Sequence, residues 1–528
     1  MSKVSVLIVG AGPTGLFMAY QLARHGILFR IIDKKSQQTE NSNAAALQTR
    51  TLEIFRHLGI ADDFIREGQS CNGVNLYDKG KAFAFASFLN LKSIYHYILT
   101  LPQYKTEKIL NEKLVAMHHR VERTRELIDI NASEEEIEAT IQHADGVKEI
   151  IRCEWLLGCD GAHSTTREKC GLSFPGKDLD SQFLVADGAL NTFLPKDQLH
   201  VFSDSGLMLA IFPLGDDKYR LAANLDSDSA IQHLTEDDIK ALVHKRSSGK
   251  FDAKSISWIS PFWIHSKLAD KMRHGNVFLL GDAAHIHSPV GGQGMNTGLQ
   301  DVHNLAWKLA LVIQERADIK LLDSYQDERY PVIKDVVETT ERSTKMLLIK
   351  NPVMLCLRKY IIKLILSIPM TASYLTERLT QLSIRYHKSC ALAESSQGGK
   401  GPLVGERAPD IKISSTHNFY DSLNDNKHHI ICFTGGQDIF NMADTCKQIS
   451  QELMGPYKDV LMVHLITPHI IDEQIDQICD ESHAMHDLYC VKKPSVIVVR
   501  PDGVISYQTN NTNITNLKQF FMSYLKAS

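Results

Sequence analysis

The segment at the start of the chain constrains the fold more than any other. An apolar run, Val4–Val9, leads directly into Gly10, Gly12 and Gly15, and a helical pattern then continues to about His25. A strand, a tight turn and a helix in this order predict the first unit of a parallel α/β sheet. Gly10 suits the turn, Gly12 lets a pyrophosphate approach the backbone, and Gly15 permits close packing of the helix.

A second strand indicates a dinucleotide site. Leu28–Ile32 ends in Asp33, about 20 residues beyond the glycines, where a carboxylate can accept hydrogen bonds from a ribose. The N-terminus of the first helix offers unpaired N–H groups and a positive dipole end to the pyrophosphate. This fingerprint does not distinguish NAD from FAD. The predicted nucleotide-binding residues are Gly10, Gly12, Pro13, Thr14, Gly15, Asp33 and Lys34.

Two later motifs favour FAD. The sequence WLLGCDGAHSTTR at Trp155–Arg167 places Asp160 at a strand end, before a polar helix start. A further apolar strand ends in Asp282, and a glycine-rich loop then enters a helix at Met295. Here the chain resembles the class A flavoprotein monooxygenases, the family of p-hydroxybenzoate hydroxylase, phenol hydroxylase and pentachlorophenol monooxygenase. The resemblance covers essentially the whole length.

The resemblance implies roles for residues at matching positions. Asp160 would lie near the pyrophosphate and the path of the nicotinamide, and Asp282 would hold the ribityl chain of the flavin. Gln103, within LPQYKTEKIL, would reach the cofactor. Pro289 matches a proline whose backbone lies beside the reacting position of the flavin, and it is one of four candidate catalytic residues.

The helix that follows the glycine-rich loop suggests how the flavin ring is held. Its first N–H groups, at Gly294, Met295 and Asn296, would point at the pyrimidine edge of the ring and stabilise the anionic reduced flavin. His285 and His287 are close to this loop. We interpret both as structural, because histidines at the ends of buried strands commonly satisfy backbone carbonyls.

One departure from the family pattern concerns the reductant. Many members have an arginine where this chain has Asn43, and an amide cannot replace a bidentate phosphate partner. The sequence therefore leaves undetermined how the reductant docks and whether it is NADH or NADPH. Arg50 is an alternative phosphate partner, although an arginine at the start of a surface helix is expected to be a solvated charge.

A region of alternating apolar and polar residues, Gly171–Leu268, predicts a mostly antiparallel sheet that covers the flavin and binds substrate. The segment Val74–Leu91 predicts a hairpin that joins this sheet. The candidate pocket residues are Phe183, Phe212, Pro213, Tyr219 and His265. The candidates for a catalytic base are Tyr219, His265 and Asp187, and ordered water is an equal alternative.

The segment Ser343–Leu392 is rich in leucine and isoleucine but contains no apolar run long enough to span a membrane. It predicts amphipathic helices that pack on the flavin domain or on a second subunit. A homodimer is therefore one of the alternatives. A basic face resting on a membrane is the other alternative. Glu394–Pro402 predicts a linker.

The remainder of the chain predicts a separate small α/β domain. Apolar strands at His429–Phe433, Val460–Ile466 and Lys493–Gln508 alternate with helical stretches. The domain resembles the thioredoxin-like C-terminal domain of the phenol hydroxylase branch, including its RPDG turn at Arg500–Gly503. The turn after the first strand has no cysteine pair, so we expect a structural role and no thiol exchange.

Composition sets the wider limits. The 528 residues suggest two or three domains, and a formal charge of −4 without a basic block argues against a nucleic-acid partner. The ten cysteines lack metal-ligand spacing, so no metal site is predicted. A strand that starts at Val4 leaves no room for a signal peptide, and we expect a cytoplasmic protein.

The sequence as a whole predicts an α/β fold. Its predicted parts are a Rossmann-like FAD-binding domain at 1–175 and 265–340, a substrate-binding sheet at 176–264 to which 74–100 contributes, a helical linker at 341–402, and a thioredoxin-like domain without CxxC at 403–528.

The resemblance implies a monooxygenase in which NAD(P)H reduces FAD, O2 forms a C4a-hydroperoxyflavin, and one oxygen atom is transferred to a phenol-like aromatic substrate. Two alternatives remain: a larger polycyclic, polyketide or antibiotic substrate, and a flavoprotein without oxygenase activity.

Overall fold

A computed structural model describes residues 2–40, 44–133, 136–225, 234–394, 401–414, 417–423, 426–435, 439–469, 471, 475–510 and 514–527. Asn43, most of the predicted linker Glu394–Pro402, and part of the turn after the strand His429–Phe433 lie outside these ranges. The expectations for those segments stay predictions.

The strands in chain order are β1 (Ser2–Val9), β2 (Phe29–Asp33), β3 (Ala46–Leu47), β4 (Gln69–Cys71), β5 (Gly73–Asp78), β6 (Lys81–Ser87), β7 (Ile98–Thr100), β8 (Glu122–Arg123), β9 (Arg125–Ala132), β10 (Ile137–His143), β11 (Lys148–Gly158), β12 (Gly176–Asn191), β13 (Leu199–Asp204), β14 (Leu207–Pro213), β15 (Lys218–Asn224), β16 (Asp252–Leu268), β17 (Arg273–His274), β18 (Val277–Leu279), β19 (His285–Ile286), β20 (His428–Phe433), β21 (Leu461–Thr467), β22 (Gln477–Cys479), β23 (Ser495–Val499) and β24 (Ile505–Thr509). The α-helices are α1 (Pro13–Arg24), α2 (Thr49–His57), α3 (Ala61–Glu67), α4 (Gln103–Ala116), α5 (Thr165–Lys169), α6 (Glu236–Arg246), α7 (Gly294–Ile313), α8 (Asp323–Leu347), α9 (Pro352–Ser367), α10 (Pro369–Leu379), α11 (Ile439–Tyr457), α12 (Ala484–Leu488) and α13 (Ile514–Met522).

The first sheet has the parallel centre that the glycine-rich start predicts. Its order is β17-β18-β11-β1-β2-β8, and β1 pairs in parallel with both β11 and β2. Helices α1 and α7 pack together on this sheet, and Leu16, Phe17 and Leu305 are fully buried in their shared core. The carboxyl ends of β1, β2 and β11 therefore meet at one edge, where a ligand binds in α/β folds of this kind.

The second sheet is inserted between elements of the first. Its order is β19-β16-β12-β15-β14-β13-β5-β6, and every pair is antiparallel except β13 with β5. The predicted hairpin is present as β5 and β6. A Rossmann-like FAD-binding fold with an inserted, mostly antiparallel sheet is thus confirmed.

The segment that follows the first sheet forms the long helix α8 and the helical pair α9 and α10. Helix α9 packs on β6, yet none of its side chains is fully buried. Within the described part of the chain, no helix is both long enough and apolar enough to cross a bilayer.

The third sheet, in the C-terminal part, has the order β22-β21-β20-β23-β24, with β20 parallel to β21 and antiparallel to β23. Its likeness to thioredoxin stays a prediction. Arg50 lies against this part of the chain, and the expectation of a solvated charge is wrong. The side chain is 7% exposed and donates hydrogen bonds to Glu53 and to the carbonyl oxygen of Asp502. It therefore helps to hold the C-terminal part of the chain against helix α2.

Candidate active site

Two cavities meet where β1 enters α1. The larger has a volume of about 520 Å³ and lies between the first and second sheets, and the smaller, of about 190 Å³, lies beside the end of β2. Gly12, Lys35, Cys159 and Gly161 line both. The two cavities together form an elongated cleft of the kind that a dinucleotide occupies.

The three glycines of the first turn have different surroundings. A Cβ atom on Gly10, whose φ is +99°, would lie 2.4 Å from the carbonyl oxygen of Cys159, and one on Gly15 would lie 1.9 Å from that of Gly10. Both glycines are therefore required by the protein's own packing. A Cβ on Gly12 would meet no atom within 4 Å. Gly12 instead borders open space at the N-terminus of α1, which is where a pyrophosphate would lie.

Asp33 stands at the end of β2, as the sequence predicts. Its two carboxylate oxygens accept the backbone N–H groups of Ala11 (2.7 Å) and Lys35 (2.8 Å), so it also fixes the glycine turn. It lines the smaller cavity together with Lys34 and Arg125. Carboxylates of Asp33, Glu126 and Asp160 line this end as well, and Lys34 pairs with Glu126 at 3.8 Å, so this end suits the hydroxyls of a ribose. Arg125, on a distant hairpin, was not identified from the sequence.

Asp160 lies beside the smaller cavity, but its carboxylate is already used. It accepts hydrogen bonds from the hydroxyls of Ser164 (2.6 Å) and Thr166 (3.0 Å) and from the backbone N–H of Thr166 (2.9 Å). These contacts cap helix α5. Asp160 therefore shapes the cleft wall, and the adjacent Gly161, with φ +81°, turns the chain past it.

Asp282 faces the larger cavity, close to the start of α1. A Cβ on its neighbour Gly281 would lie 2.6 Å from the hydroxyl of Thr14, so the two loops are in close contact. Pro13 and Thr14 also line this cavity. The surrounding protein desolvates the carboxyl of Asp282 and raises its pKa above the ordinary value.

Helix α7 also begins at the larger cavity. Gly291 and Gly292 have φ values of +90° and +63°, and Gly294 and Met295 line the cavity wall. The first N–H groups of a helix have no carbonyl partner within it, so the start of α7 offers donors to a ligand.

The side chain of Asn296 is not part of that wall. It accepts hydrogen bonds from the backbone N–H of Gln48 (2.8 Å) and the hydroxyl of Thr51 (2.7 Å), and it donates to the carbonyl oxygens of Ala46 (2.8 Å) and Gly292 (3.0 Å). It therefore fastens the loop to the helix, and only its backbone N–H remains for the predicted role.

Two further predicted residues line the cavity. Gln103 donates its side-chain amide to Glu107 at 2.8 Å, and Pro289 is exposed to the cavity at the start of the glycine loop.

The two histidines of this region differ. His285 is buried and pairs with the carboxylate of Asp301 at 2.7 Å, so it is structural, although its partner is a side chain and not a backbone carbonyl. His287 lines the cavity, and its Nδ1 lies 2.9 Å from the carbonyl oxygen of Ser288. Burial lowers the pKa of His287 to about 4. It is therefore neutral at physiological pH.

The inserted sheet forms the other wall of the cavity. Three of the five residues predicted to line the pocket do not line it. Phe212 lines the cavity. Tyr219 points to the opposite face of the sheet, where it is buried against Leu184 and Leu221. Phe183 is buried beside Met208, and Pro213 is absent from the cavity lining. Tyr219 and its cross-strand partner Pro213 lie on the far face because both faces of the sheet are apolar, so alternation alone does not show which face meets the cavity. Phe183 lies on the cavity face but is covered by its neighbours.

The remaining candidates for a base are His265 and Asp187. His265 lies at the cavity edge with its Nδ1 2.7 Å from the carboxylate of Asp178. Asp187 accepts two hydrogen bonds, each of 2.7 Å, from Arg220, and this ion pair leaves it unsuited to act as a free base. Neither Arg220 nor the apolar wall residues could be recognised from the sequence; the latter are Val185, Ala222, Phe262 and Trp263.

The cleft fits FAD on its own geometry. The cleft offers open space at Gly12, the N-termini of α1 and α7, the carboxylate of Asp33 and a partly apolar larger cavity. These features match the phosphates, the ribose and the ring of this cofactor.

Comparisons with known proteins agree with this fit. The family model described as FAD binding domain matches residues 3–340. The 12-dehydrotetracycline 5-monooxygenase/anhydrotetracycline 6-monooxygenase of Streptomyces rimosus is 31% identical over 422 residues, covering 78% of this chain and 81% of that protein. Pentachlorophenol 4-monooxygenase of Sphingobium chlorophenolicum is 29% identical, covering 87% and 86%. Among solved structures, the anhydrotetracycline hydroxylase OxyS of Streptomyces rimosus superimposes with a TM-score of 0.77 at 26% identity, covering 99% of both chains.

The sequence match spans most of the chain, and the structural match spans nearly all of it. The chain therefore belongs to the FAD-binding family of aromatic monooxygenases and is a flavin-dependent enzyme.

Proposed function

We propose that this enzyme hydroxylates an electrically neutral, polycyclic phenol, with NAD(P)H as reductant and O2 as the source of oxygen. The observation that carries this proposal is the chemistry of the larger cavity wall. Val185, Phe212, Ala222, Phe262 and Trp263 present a broad apolar surface opposite the start of α7.

The charged groups of that cavity support a neutral substrate. Of the cations that line its described part, Arg220 is held by Asp187 and by the carbonyl oxygen of Ala44, and Lys35 lies where the two cavities meet. His265 is paired with Asp178 at the edge. An aromatic acid would therefore lose the hydration of its carboxylate without gaining a cation in return.

The size of the substrate is proposed from the shape of the cavity and from the relatives. The cavity extends to Trp263, whose side chain is 57% exposed at the outer end of the wall. An exposed aromatic surface next to an apolar wall suits a fused-ring substrate that continues beyond the flavin. The tetracycline-modifying relatives carry names that agree with such a substrate.

The net reaction would convert an aromatic C–H to C–OH, with one atom of O2 entering the product and the other leaving as water while NAD(P)H is oxidised. Bound flavin would supply the chemistry of oxygen activation. The protein's residues would position the ring, through Asp282, Gly294 and Met295, and the apolar wall would exclude water.

A base that removes the phenolic proton would make the substrate more nucleophilic. We propose His265 for this role, because an Nδ1–H donated to Asp178 would leave Nε2 as an acceptor. His265→Asn should then lower kcat and remove one limb of its pH profile. An unchanged profile would assign the proton transfer to solvent.

A single-ring phenol is the second candidate, because pentachlorophenol 4-monooxygenase resembles this chain along most of its length. A cytoplasmic location and a homodimer also stay predictions, which cell fractionation and a mass measurement in solution would test.

The direct test is NAD(P)H oxidation with three groups of compounds, polycyclic phenols, single-ring phenols and aromatic acids, together with product mass under ¹⁸O2. We expect polycyclic phenols to stimulate oxidation most and to gain one labelled oxygen atom. Stimulation by single-ring phenols alone would favour the second candidate. Oxidation that no compound stimulates would contradict both.

A further inference from the structure

The pair of helices α9 and α10 exposes apolar side chains that a folded protein normally buries. Eleven of the twenty large apolar side chains that are strongly exposed in the described part of the chain lie between Met346 and Leu375. They are Met346, Val353, Met354, Leu357, Tyr360, Ile361, Leu364, Ile368, Met370, Tyr374 and Leu375. Val353, Leu357, Ile361 and Leu364 have the spacing of one helical face, so the exposure is continuous along α9.

The opposite side of α9 is firmly attached. Arg358 donates hydrogen bonds to the carbonyl oxygens of Met346 (2.9 Å) and Leu347 (3.2 Å), and Lys359 pairs with Asp78 at 2.8 Å. The inner side therefore combines these two anchored cations with half-buried Leu355, Ile362 and Leu366, and the helix is apolar on its inner and outer sides alike. Contiguous apolar surface of this kind marks an interaction site.

The segment that carries the apolar face has only basic charges of its own, although Arg342, Lys345 and Lys359 each pair with a carboxylate outside it. Between Glu341 and Glu377 the sequence contains no acidic residue and six basic ones, namely Arg342, Lys345, Lys350, Arg358, Lys359 and Lys363. Lys79 and Lys81, on the turn next to α9, are also exposed. The whole chain has a net charge of −4, so this basic segment is a local feature.

The charge pattern favours one of two partners that could cover this apolar face, a second copy of the chain or a lipid surface. A symmetric contact with a second copy would bring the same basic segments together, without acidic partners from this segment. An anionic lipid surface offers negative headgroups to the lysines and an acyl boundary to the apolar side chains. Exposed Lys363 can extend its ammonium toward the headgroups while its stem follows the apolar face.

We propose that the outer face of α9 and α10 docks the enzyme onto the surface of an anionic phospholipid bilayer. Helix α9 has 16 residues, so it would lie along the interface and not cross it. This inference is independent of the substrate, because it rests only on the exposed face and its charges.

The test is co-sedimentation of the FAD-loaded enzyme with vesicles of phosphatidylcholine alone or mixed with phosphatidylglycerol. We expect binding to the mixed vesicles that weakens as salt is added, and much weaker binding to the neutral ones. Leu357→Glu and Ile361→Glu should each weaken binding about tenfold. Lys363→Glu should weaken it severalfold.

The matched controls are Leu28→Glu and Val147→Glu, at apolar side chains that are similarly exposed elsewhere on the surface. Retention of FAD checks that each variant is folded. Absence of binding to anionic vesicles, or binding that the α9 variants and the controls reduce equally, would overturn the proposal. A dimer in solution that Leu357→Glu converts to a monomer would also overturn it, in favour of a second copy.

Discussion

Arg220 donates two hydrogen bonds of 2.7 Å to the carboxylate of Asp187, and its third donor reaches the carbonyl oxygen of Ala44, also at 2.7 Å. The guanidinium is 2% exposed and lies in the wall of the larger cavity. One side chain thus joins two strands of the inserted sheet to the segment that precedes α2.

We predict that Arg220→Leu lowers the free energy of unfolding by about 3 kcal/mol, because it leaves a partly buried carboxylate without its partner. The double variant Arg220→Leu, Asp187→Leu should recover part of that loss. Denaturation followed by circular dichroism measures both. A single variant as stable as the parent enzyme would show that the ion pair has no structural role.

The third sheet depends on a buried charge cluster. Arg500 donates two hydrogen bonds to Glu328 (2.7 and 2.9 Å), and Lys308 contacts the same carboxylate at 2.9 Å. We predict that Arg500→Met costs about 3 kcal/mol or more and lets the third sheet unfold before FAD is released. Separate melting curves from circular dichroism and flavin fluorescence would show the two steps.

The control for that variant is Arg316→Met. Arg316 pairs with Asp459, also across this boundary, but both side chains are partly exposed. Its loss should cost less than about 1 kcal/mol. Equal destabilisation by the two substitutions would contradict the assigned role of Arg500.

His57 makes stability depend on pH. It is buried, with Nε2 2.7 Å from the carbonyl oxygen of Leu423, and burial lowers its pKa to about 4. Because the pKa is lower in the folded state, the stabilisation is complete above about pH 6.5 and is lost as the pH falls through about 4.

We therefore predict that His57→Gln loses less stability than the parent enzyme between pH 6.5 and pH 4, by up to about 3 kcal/mol. Melting temperatures across that range measure it. Asp410, whose pKa burial raises to about 7, acts in the opposite direction, so the comparison is between variant and parent at each pH. Exposed His274→Gln is the control, and identical slopes for His57→Gln and His274→Gln would refute the assignment.

Asp282 faces the cavity, where a carboxylate would accept hydrogen bonds from ribityl hydroxyls. Asp282→Ala should raise the Kd for FAD about tenfold or more, and Asp282→Asn should raise it less. The pKa of Asp282 is raised, so the carboxylate is protonated at a higher pH than an ordinary aspartate. The affinity of the parent enzyme for FAD should therefore fall as the pH decreases, whereas the affinity of Asp282→Asn should depend less on pH. Titration of apoprotein with FAD at several pH values tests this, and equal Kd values for all three proteins would disprove it.

The parts of the fold that could be predicted are those encoded by neighbouring residues. The turn at Gly10, the strand end at Asp33 and the helix start at Gly294 each have a local signal, because turn geometry and periodicity act over a few residues. The resemblance supplied Asp282 and Gln103.

The parts that could not be predicted depend on distant contacts. Arg50 is buried by a segment about 450 residues away, and Arg220 finds Asp187 only after the strands pair in register. Within a single hairpin, Tyr219 and Phe212 also show that local sequence does not determine tertiary contacts. Each lies on an alternating strand, but packing in three dimensions decides which face meets the cavity.

We propose that the pyrophosphate of FAD lies against Gly12. Space is open at Gly12 but is filled by the protein's own backbone at Gly15, so the two glycines separate cofactor binding from folding. We predict that Gly12→Val gives a folded protein with unchanged circular dichroism, whereas Gly15→Val fails to fold.

Titration of wild-type and Gly12→Val apoprotein with FAD shows whether the pyrophosphate lies against Gly12. Wild-type protein should bind one FAD per chain, and Gly12→Val should remain colourless. A Gly12→Val protein that binds FAD with wild-type affinity would contradict this position of the pyrophosphate.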